Sequence, residues 1–449
     1  MSTRYSRRNV NNGHGRHKST GIKRIAVVFL FTLSIVLLVG LAALAYLKQE
    51  PKDDKAEAKN SAVNTDLYTT AIPEKKEVAE QVTENEQEAE LISDGEPADD
   101  SKYGDVIEDE EYLQANNIFV KDGYSSDTVT LGFCGDILFD DEYACMSALK
   151  LRGGNLLNCM SEVTIDAMNS VDVMVVNNEF PFTSRGNRQE EKMYTFRADP
   201  DTAEYLQIMG ADVAILANNH VYDFGEQGLL DTLDTLNEYG IKPLGAGRNI
   251  EEASRPVYYI INDIKVAIIA ATQIERLEPP NTIGAREDKA GVFRCWNSKL
   301  IYSVVEEAKK NADFVIVCVH WGTEKEEMPD TWQLEMAPKL AEAGADLIIG
   351  DHPHRLQGFY YYGNTPCIYS LGNYWFNGYK LDTCLVTVEF NKAGMKSLKF
   401  LPAIQENMKT NLVGGSEYER IINYMNSISK GAYIDEEGEV CQGDKKTIG

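Results

Sequence analysis

Residues 347–354 read LIIGDHPH. Leu347, Ile348 and Ile349 form the short apolar run that a parallel sheet buries on both faces. The run stops at Gly350, and two imidazoles follow on either side of a proline, His352 and His354. A strand that ends in a glycine turn carrying His-x-His presents both rings at its carboxyl edge. Open α/β sheets bind their ligands there. The stretch therefore predicts a parallel-sheet protein with a metal site at one sheet edge.

Working outward, apolar runs alternate with helical patterns from residue 127 onward, the signature of βα units. Strands are expected over 128–139 (TVTLGFCGDILF), 171–180 (VDVMVVNNEF), 212–220 (DVAILANNH) and 313–322 (DFVIVCVHWG). Helices are expected over 141–151, from Asp199-Pro200 to Gly210, over 225–239 before Gly240, and over 299–311 and 331–343. A hairpin is expected over 257–272 with Asn262-Asp263 at its turn, and the chain from 356 to 403 is rich in strands. The fold class is α/β, with two sheets packed together and flanked by helices.

Four of the chain's six histidines, His220, His320, His352 and His354, follow predicted strands; His14 and His17 lie near the N-terminus. A single strand-end histidine is more often structural than a ligand. Four at one edge define a pattern, and Asp136, Glu179 and Asn219 occupy equivalent strand ends. Glu324, in HWGTE, is a further candidate. Carboxylate, amide and imidazole together suit Mn, Fe or Zn rather than a soft metal. Seven such side chains suffice for two divalent metal ions sharing a bridge, a site that clamps a phosphoryl group and lowers the pKa of a bound water. Asp223 either orients His220 or caps the helix near Gly225, and capping is the favoured reading. Arg185 and Arg188, in the loop after Glu179, either meet an anionic substrate or are solvated. Tyr360, Tyr361 and Tyr362 alternate across a strand and read as hairpin packing rather than a base-stacking platform.

The N-terminal quarter has another character. Residues 1–24 carry seven Lys or Arg and no acid, and Ile25 to Leu47 then runs 23 residues without a charge. A span needs about 20 residues, and the basic flank keeps the tail inside. A single-pass membrane anchor with the C-terminal domain extracellular is expected; a signal peptide cleaved after Ala43-Leu44-Ala45 is the rival. Residues 48–121, rich in Glu, Lys, Gln and Ala, read as an acidic disordered linker. The folded α/β domain is expected over 122–405, with a C-terminal extension over 406–449. Eight cysteines at irregular spacings leave a disulfide or two open in an exported domain. No P-loop, no G-x-G-x-x-G after a strand and no basic stripe occurs, so nucleotide-cofactor and nucleic-acid roles lack support.

GFCGDILF, VVNNEFPFT, ILANNHVYDFG, VHWGTE, IIGDHPH and YSLGNYWF, in this order, resemble the motifs of the bacterial capsule-synthesis CapA family, associated with poly-γ-glutamate and a branch of the calcineurin-like metallophosphoesterases. The resemblance spans residues 128–403. It implies a metallophosphoesterase-like two-sheet sandwich with Asp136, Glu179, Asn219, His220, His320, His352 and His354 around the metals. It further implies that Asp136, Asn219 and His220 take catalytic roles. Two positions depart from the pattern: Leu138 stands where the superfamily usually has His, and Asp351 stands where His or a small residue is expected in a GHHPH-like motif, either orienting a histidine or facing solvent in the loop. The implied partners are a capsule polymerase or exporter and an anionic polymer or phosphoester substrate. Alternatives are a hydrolase acting on another envelope substrate and a non-catalytic polymer-binding partner. The chain's net charge of −26 should repel free poly-γ-glutamate unless cations or a local arginine patch intervene.

Overall fold

Two twisted sheets share one apolar layer, and each presents helices on its other face. The computed structural model describes residues 101–190, 192–274 and 282–444. The basic tail, the expected membrane span and residues 48–100 lie outside the described residues. Among the described residues no helix is long and apolar enough to cross a membrane.

The first sheet runs, in spatial order, Ile118–Val120, Val257–Ile261, Ile264–Thr272, Phe314–His320, Leu347–Asp351, Thr365–Leu371 and Leu356–Tyr362. Its centre, from Ile264–Thr272 to Thr365–Leu371, is parallel. The second sheet runs Lys409–Leu412, Gly394–Glu406, Leu381–Asn391, Thr128–Ile137, Val173–Asn178, Ala211–Ile215 and Lys242–Leu244. Its last four strands are parallel, and Asn373–Trp375 joins Thr128–Ile137 alongside.

Strand alternation explains the unbroken apolar runs. Leu347 and Ile349 point into the layer between the sheets, while Ile348 faces the helices. Phe314, Ile316 and Cys318 alternate with Val315, Val317 and Val319 in the same way. Both faces of these strands are covered, so no polar position is tolerated until the strand ends. The helices Lys299–Asn311 and Thr331–Ala343 fall where the sequence places them. The second begins at a capping box, Asp330 with Gln333, and ends at Gly344 with φ +114°. The strands are shorter than expected at their carboxyl ends. Ala211–Ile215, for example, stops before ANNH, because Asn218 Oδ1 accepts from the N–H groups of His220 and Val221 and turns the chain out of the ladder.

Three expectations are corrected. Residues 101–121, read as linker, form the helices Gly104–Ile107 and Glu110–Ala115 and the edge strand Ile118–Val120, which pairs in parallel with Val257–Ile261. The segment's acidic composition hid the few groups that anchor it: Tyr103 and Ile118 pack on Ile260, and Tyr103 Oη donates to Asp313 at 3.0 Å. Residues 406–444 are no appendage either. The helix Gly415–Ile428 places Tyr418, Ile421, Ile422 and Met425 in the layer shared by the two sheets. Between Asp199 and Gly210 a 3₁₀ turn, Pro200–Ala203, and the short helix Glu204–Ile208 replace one helix. All eight cysteines are free, seven of them buried among apolar side chains as small hydrophobes.

Candidate metal centre

The seven predicted ligands converge, although they come from five strand ends on both sheets. Asp136 is the penultimate residue of Thr128–Ile137, and Glu179 follows Val173–Asn178. Asn219 and His220 lie in the loop after Ala211–Ile215. From the first sheet, His320 closes Phe314–His320, and His352 and His354 occupy the turn after Leu347–Asp351.

Local chemistry sets each direction. The ladder between Thr128–Ile137 and its neighbour shifts register between Cys134 and Asp136, a bulge that re-aims the carboxylate. Gly135 sits in that shift, where a Cβ would lie 1.9 Å from Gly372 O, so no side chain fits. His352 and His354 have φ of +99° and +56°, a region that residues other than glycine seldom occupy. Backbone held in this way is characteristic of functional turns.

The distances knit a single cluster. His320 Nε2 is 2.8 Å from Asn219 Oδ1, 3.1 Å from His352 Nδ1 and 3.5 Å from Glu179 Oε1. His220 Nε2 lies 3.9 Å from the same Glu179 oxygen, and His354 Nδ1 lies 2.9 Å from Asp136 Oδ2. Two triads have ligand atoms within 4.8 Å of one another: Glu179, His320 and His352, and Asp136, Glu179 and His354. Glu179 belongs to both.

The donor set fits divalent metal ions. Both oxygens of Glu179 are buried without a hydrogen bond, and Oδ2 of Asp136 has only His354 Nδ1 beside it. A buried carboxylate without compensation is costly, and coordination to a cation removes that cost. Electrostatics follow the same pattern. Burial raises the Glu179 pKa, but His354, His320 and His220 outweigh it and hold the carboxyl below its usual value. Burial lowers that of His354, yet Glu179 and Asp136 bring it up to about 10. His352 goes the other way, driven well below the usual value by burial and by the neighbouring His320 and His354. A neutral imidazole of this kind keeps its lone pair for a metal.

Around the ligands lies a set of positioning groups. His220 Nδ1 is 2.7 Å from Asp223 Oδ2, which fixes the ring with Nε2 toward Glu179. The capping reading of Asp223 is thereby corrected: Gly225–Glu238 has Phe224 at its N-cap and no side-chain cap. Asp223 also accepts from Phe196 N at 2.7 Å and from Lys192 Nζ at 2.5 Å. Lys192 donates as well to Asn219 O, so one buried ammonium braces the loop that carries two ligands. Asn177 Nδ2 donates to Asp136 Oδ1 at 2.6 Å, and Asn373 Oδ1 bonds His354 Nδ1 at 2.7 Å. Phe196 stacks on His220 with centroids 4.1 Å apart, and Phe376 lies 4.8 Å from His354.

Sequence reasoning missed Lys192, Asn177 and Asn373. The second Asn of a VVNNE motif was a visible signal for Asn178, which donates to Phe180 O, but a lysine in a long loop gives none. Glu324 is exposed, and among the described residues no hydrogen bond or ion pair joins it to the cluster. Arg185 pairs with Asp231 rather than standing free. Leu138 is buried in the helix-side core, so the position where the superfamily carries His is apolar. Asp351 is buried as well. Burial and the charges of Asp136 and Glu179 drive its carboxyl far above its usual pKa, which excludes the solvent-facing reading. No bond to a histidine of the cluster joins its side chain, so it does not orient one by direct contact.

The chain is a two-sheet α/β domain whose strand ends carry buried histidine–carboxylate groups able to hold a metal ion. Residues 130–378 match the family model described as bacterial capsule synthesis protein PGA_cap, over half of the chain, and the chain belongs to this family. It is 30% identical over 284 residues to the PGA biosynthesis protein CapA of Bacillus subtilis, covering 62% of this chain and 72% of that protein. It is 31% identical over 256 residues to the capsule biosynthesis protein CapA of Bacillus anthracis, covering 55% of this chain and 61% of that one. A probable polyglutamine synthesis accessory protein of Mycobacterium tuberculosis is 29% identical over 210 residues, 45% of this chain and 55% of its own length.

Proposed function

We propose that the chain is a membrane-anchored, extracellular accessory protein of capsular poly-γ-glutamate synthesis, and that its cluster holds two divalent metal ions for a hydrolytic step of the metallophosphoesterase type. Glu179 carries this reading. It is shared by the two ligand triads, and both its buried oxygens lack a hydrogen bond, as expected of a carboxylate that would be held by cations. Asp136 and His354 would complete one side, and Asn219, His220, His320 and His352 the other. Ions held there supply Lewis acidity and lower the pKa of water. The chain's own contribution is to pre-orient. Asp223 orients the His220 ring, burial and Lys192 keep that ring neutral, Lys192 fixes the loop bearing Asn219, and Phe196 and Phe376 pack against the imidazoles.

Metal analysis of the purified protein, paired with a phosphodiester and γ-glutamyl hydrolysis screen, tests this. About two ions per chain and metal-dependent hydrolysis are expected, with both lost in His320→Ala. Metal uptake without any turnover would favour a polymer-binding partner over an enzyme. For the anchor, protease added to intact protoplasts should remove the domain and spare the N-terminal tail; survival of the full-length chain would exclude an extracellular domain.

A further inference from the structure

The four tryptophans divide sharply. Trp321 and Trp375 are fully buried, whereas Trp296 and Trp332 are each 51% exposed. The exposed two come from separate segments and meet in solvent, with ring centroids 4.9 Å apart and an interplanar angle of 42°. A single exposed apolar side chain is ordinary; two indoles brought together in water form a patch that asks for a ligand.

Each indole stands on fixed backbone. Trp332 is the second residue of the helix Thr331–Ala343, and its N–H donates to Asp330 of the capping box at 2.9 Å. Trp296 follows the buried Cys295, whose N–H donates to Thr272 O at 2.8 Å, and it precedes the helix Lys299–Asn311. Both anchors lead to the edge that carries the metal ligands. Thr272 is in register with His320. In the loop before Asp330, the Lys325 N–H donates at 2.8 Å to the carbonyl of Pro353, which lies between His352 and His354. The indole pair therefore belongs to the carboxyl edge of the first sheet and is held in place before any ligand arrives.

Size and charge narrow what the facet takes. Half of two indole side chains is roughly 150–250 Å². Adding the exposed Leu300 and Met328 of the flanking segments leaves it well short of the about 800 Å² a side of a stable protein interface. Residues 294–300 and 323–335 carry five acids and three cations, on a chain of net charge −26. Such a rim attracts neither an anionic membrane surface nor a polyanion. A pyranose ring with equatorial hydroxyls fits both limits. Its C–H faces are apolar and comparable in area to an indole, and its hydroxyls point outward from the ring edge. There, exposed Asn297 and Thr331 stand next to the two tryptophans in the chain, and neither side chain makes a hydrogen bond among the described residues.

We propose that Trp296 and Trp332 form a stacking subsite for a neutral, β-1,4-linked pyranose chain. A sugar ring packs across the indole pair, and its hydroxyls exchange water for Asn297 and Thr331. The subsite does not rest on the function proposed above: it holds a glycan at this sheet edge whether or not the metal centre is hydrolytic.

Calorimetric titration of the full chain, in a detergent without a sugar headgroup, tests the site. The probes are the β-1,4-linked hexamers of glucose and of N-acetylglucosamine, and sorbitol, which has the hydroxyls without a ring face, is the control. Saturable binding of at least one hexamer is expected, insensitive to salt and accompanied by a change in tryptophan emission, with no response to sorbitol. W296A and W332A should each weaken it at least tenfold, as removal of a central aromatic contact does, while W332F keeps a ring face and should lose much less. Both positions are exposed, so circular dichroism and any metal uptake should match the wild type in all three variants. Failure of both hexamers to bind, equal binding of sorbitol, or unchanged affinity in the alanine variants would each overturn the proposal. Dimerisation of the wild type that is lost in W296A would overturn it too, by assigning the facet to a second copy of the chain.

Discussion

His352 carries a contradiction that only function resolves. Its φ of +99° strains an L-residue, and its ring is buried against two other imidazoles, where any added proton would be repelled. Strain of this kind costs about 1–3 kcal/mol. Replacing the residue by glycine should relieve the backbone, while alanine should not. Metal-free His352→Gly is therefore expected to be more stable than His352→Ala by about 1 kcal/mol in urea unfolding, with metal uptake lost in both. Equal stability would mean that the turn is relaxed as it stands. The Lys192–Asp223 pair makes a second residue-level test. Breaking a buried pair from one side leaves a bare charge and costs about 3–5 kcal/mol. Lys192→Met and Asp223→Asn should each destabilise strongly, and the double variant should recover much of that loss. Metal affinity should nevertheless stay about 10–100-fold down in the double variant, because His220 loses the partner that orients it. Affinity restored along with stability would reduce the pair to a structural role.

The elements show where the sequence was readable and where it was not. Runs buried on both faces, such as FVIVCVH and LIIG, announce central parallel strands, and the strand-end ligands could be named because every central strand stops at the same edge. The hairpin turn was legible too, since Asn262 and Asp263 both adopt positive φ, +52° and +57°, as a two-residue turn requires. The segment 101–121 was not legible, because its attachment is made by a few long-range contacts rather than by periodic apolar residues. Asp263 joins the two. Its side chain accepts from Ser101 Oγ and Tyr103 N, both at 2.9 Å, and from Lys392 Nζ at 2.6 Å. Burial raises its pKa, but Lys392 and the hydrogen bonds from residues 101–103 outweigh it and hold the carboxyl at about 2, against 3.8 for the free group. A depressed carboxylate contributes stability that is complete above the unfolded value and lost as pH falls through the folded one. Asp263→Asn keeps the turn conformation and removes the charge. Thermal unfolding of that variant should lose less stability than the wild type between about pH 4 and pH 2. Parallel pH profiles would mean that Asp263 gains nothing from its partners.

For the whole molecule, the decisive fact is that the two sheets need a third contributor at their shared layer. The centre binds ligands from both sheets, so Asp136 and His354 meet only if the sheets hold their relative position. The helix Gly415–Ile428 closes that layer with Tyr418, Ile421, Ile422 and Met425, and Ile434 follows from the strand Ala432–Ile434. A buried side chain of this size contributes about 1.5–3 kcal/mol. Five of them together rival the net stability of a domain, roughly 5–15 kcal/mol. A chain ending at residue 405 should therefore fail to fold cooperatively, even though every metal ligand lies before that point. Near-ultraviolet circular dichroism and metal uptake should be lost together, while a chain ending at residue 444 should retain both. If the shorter chain melted sharply and still bound metal, the sheets would be held by their own faces, and the C-terminal helix would be an addition to a finished domain.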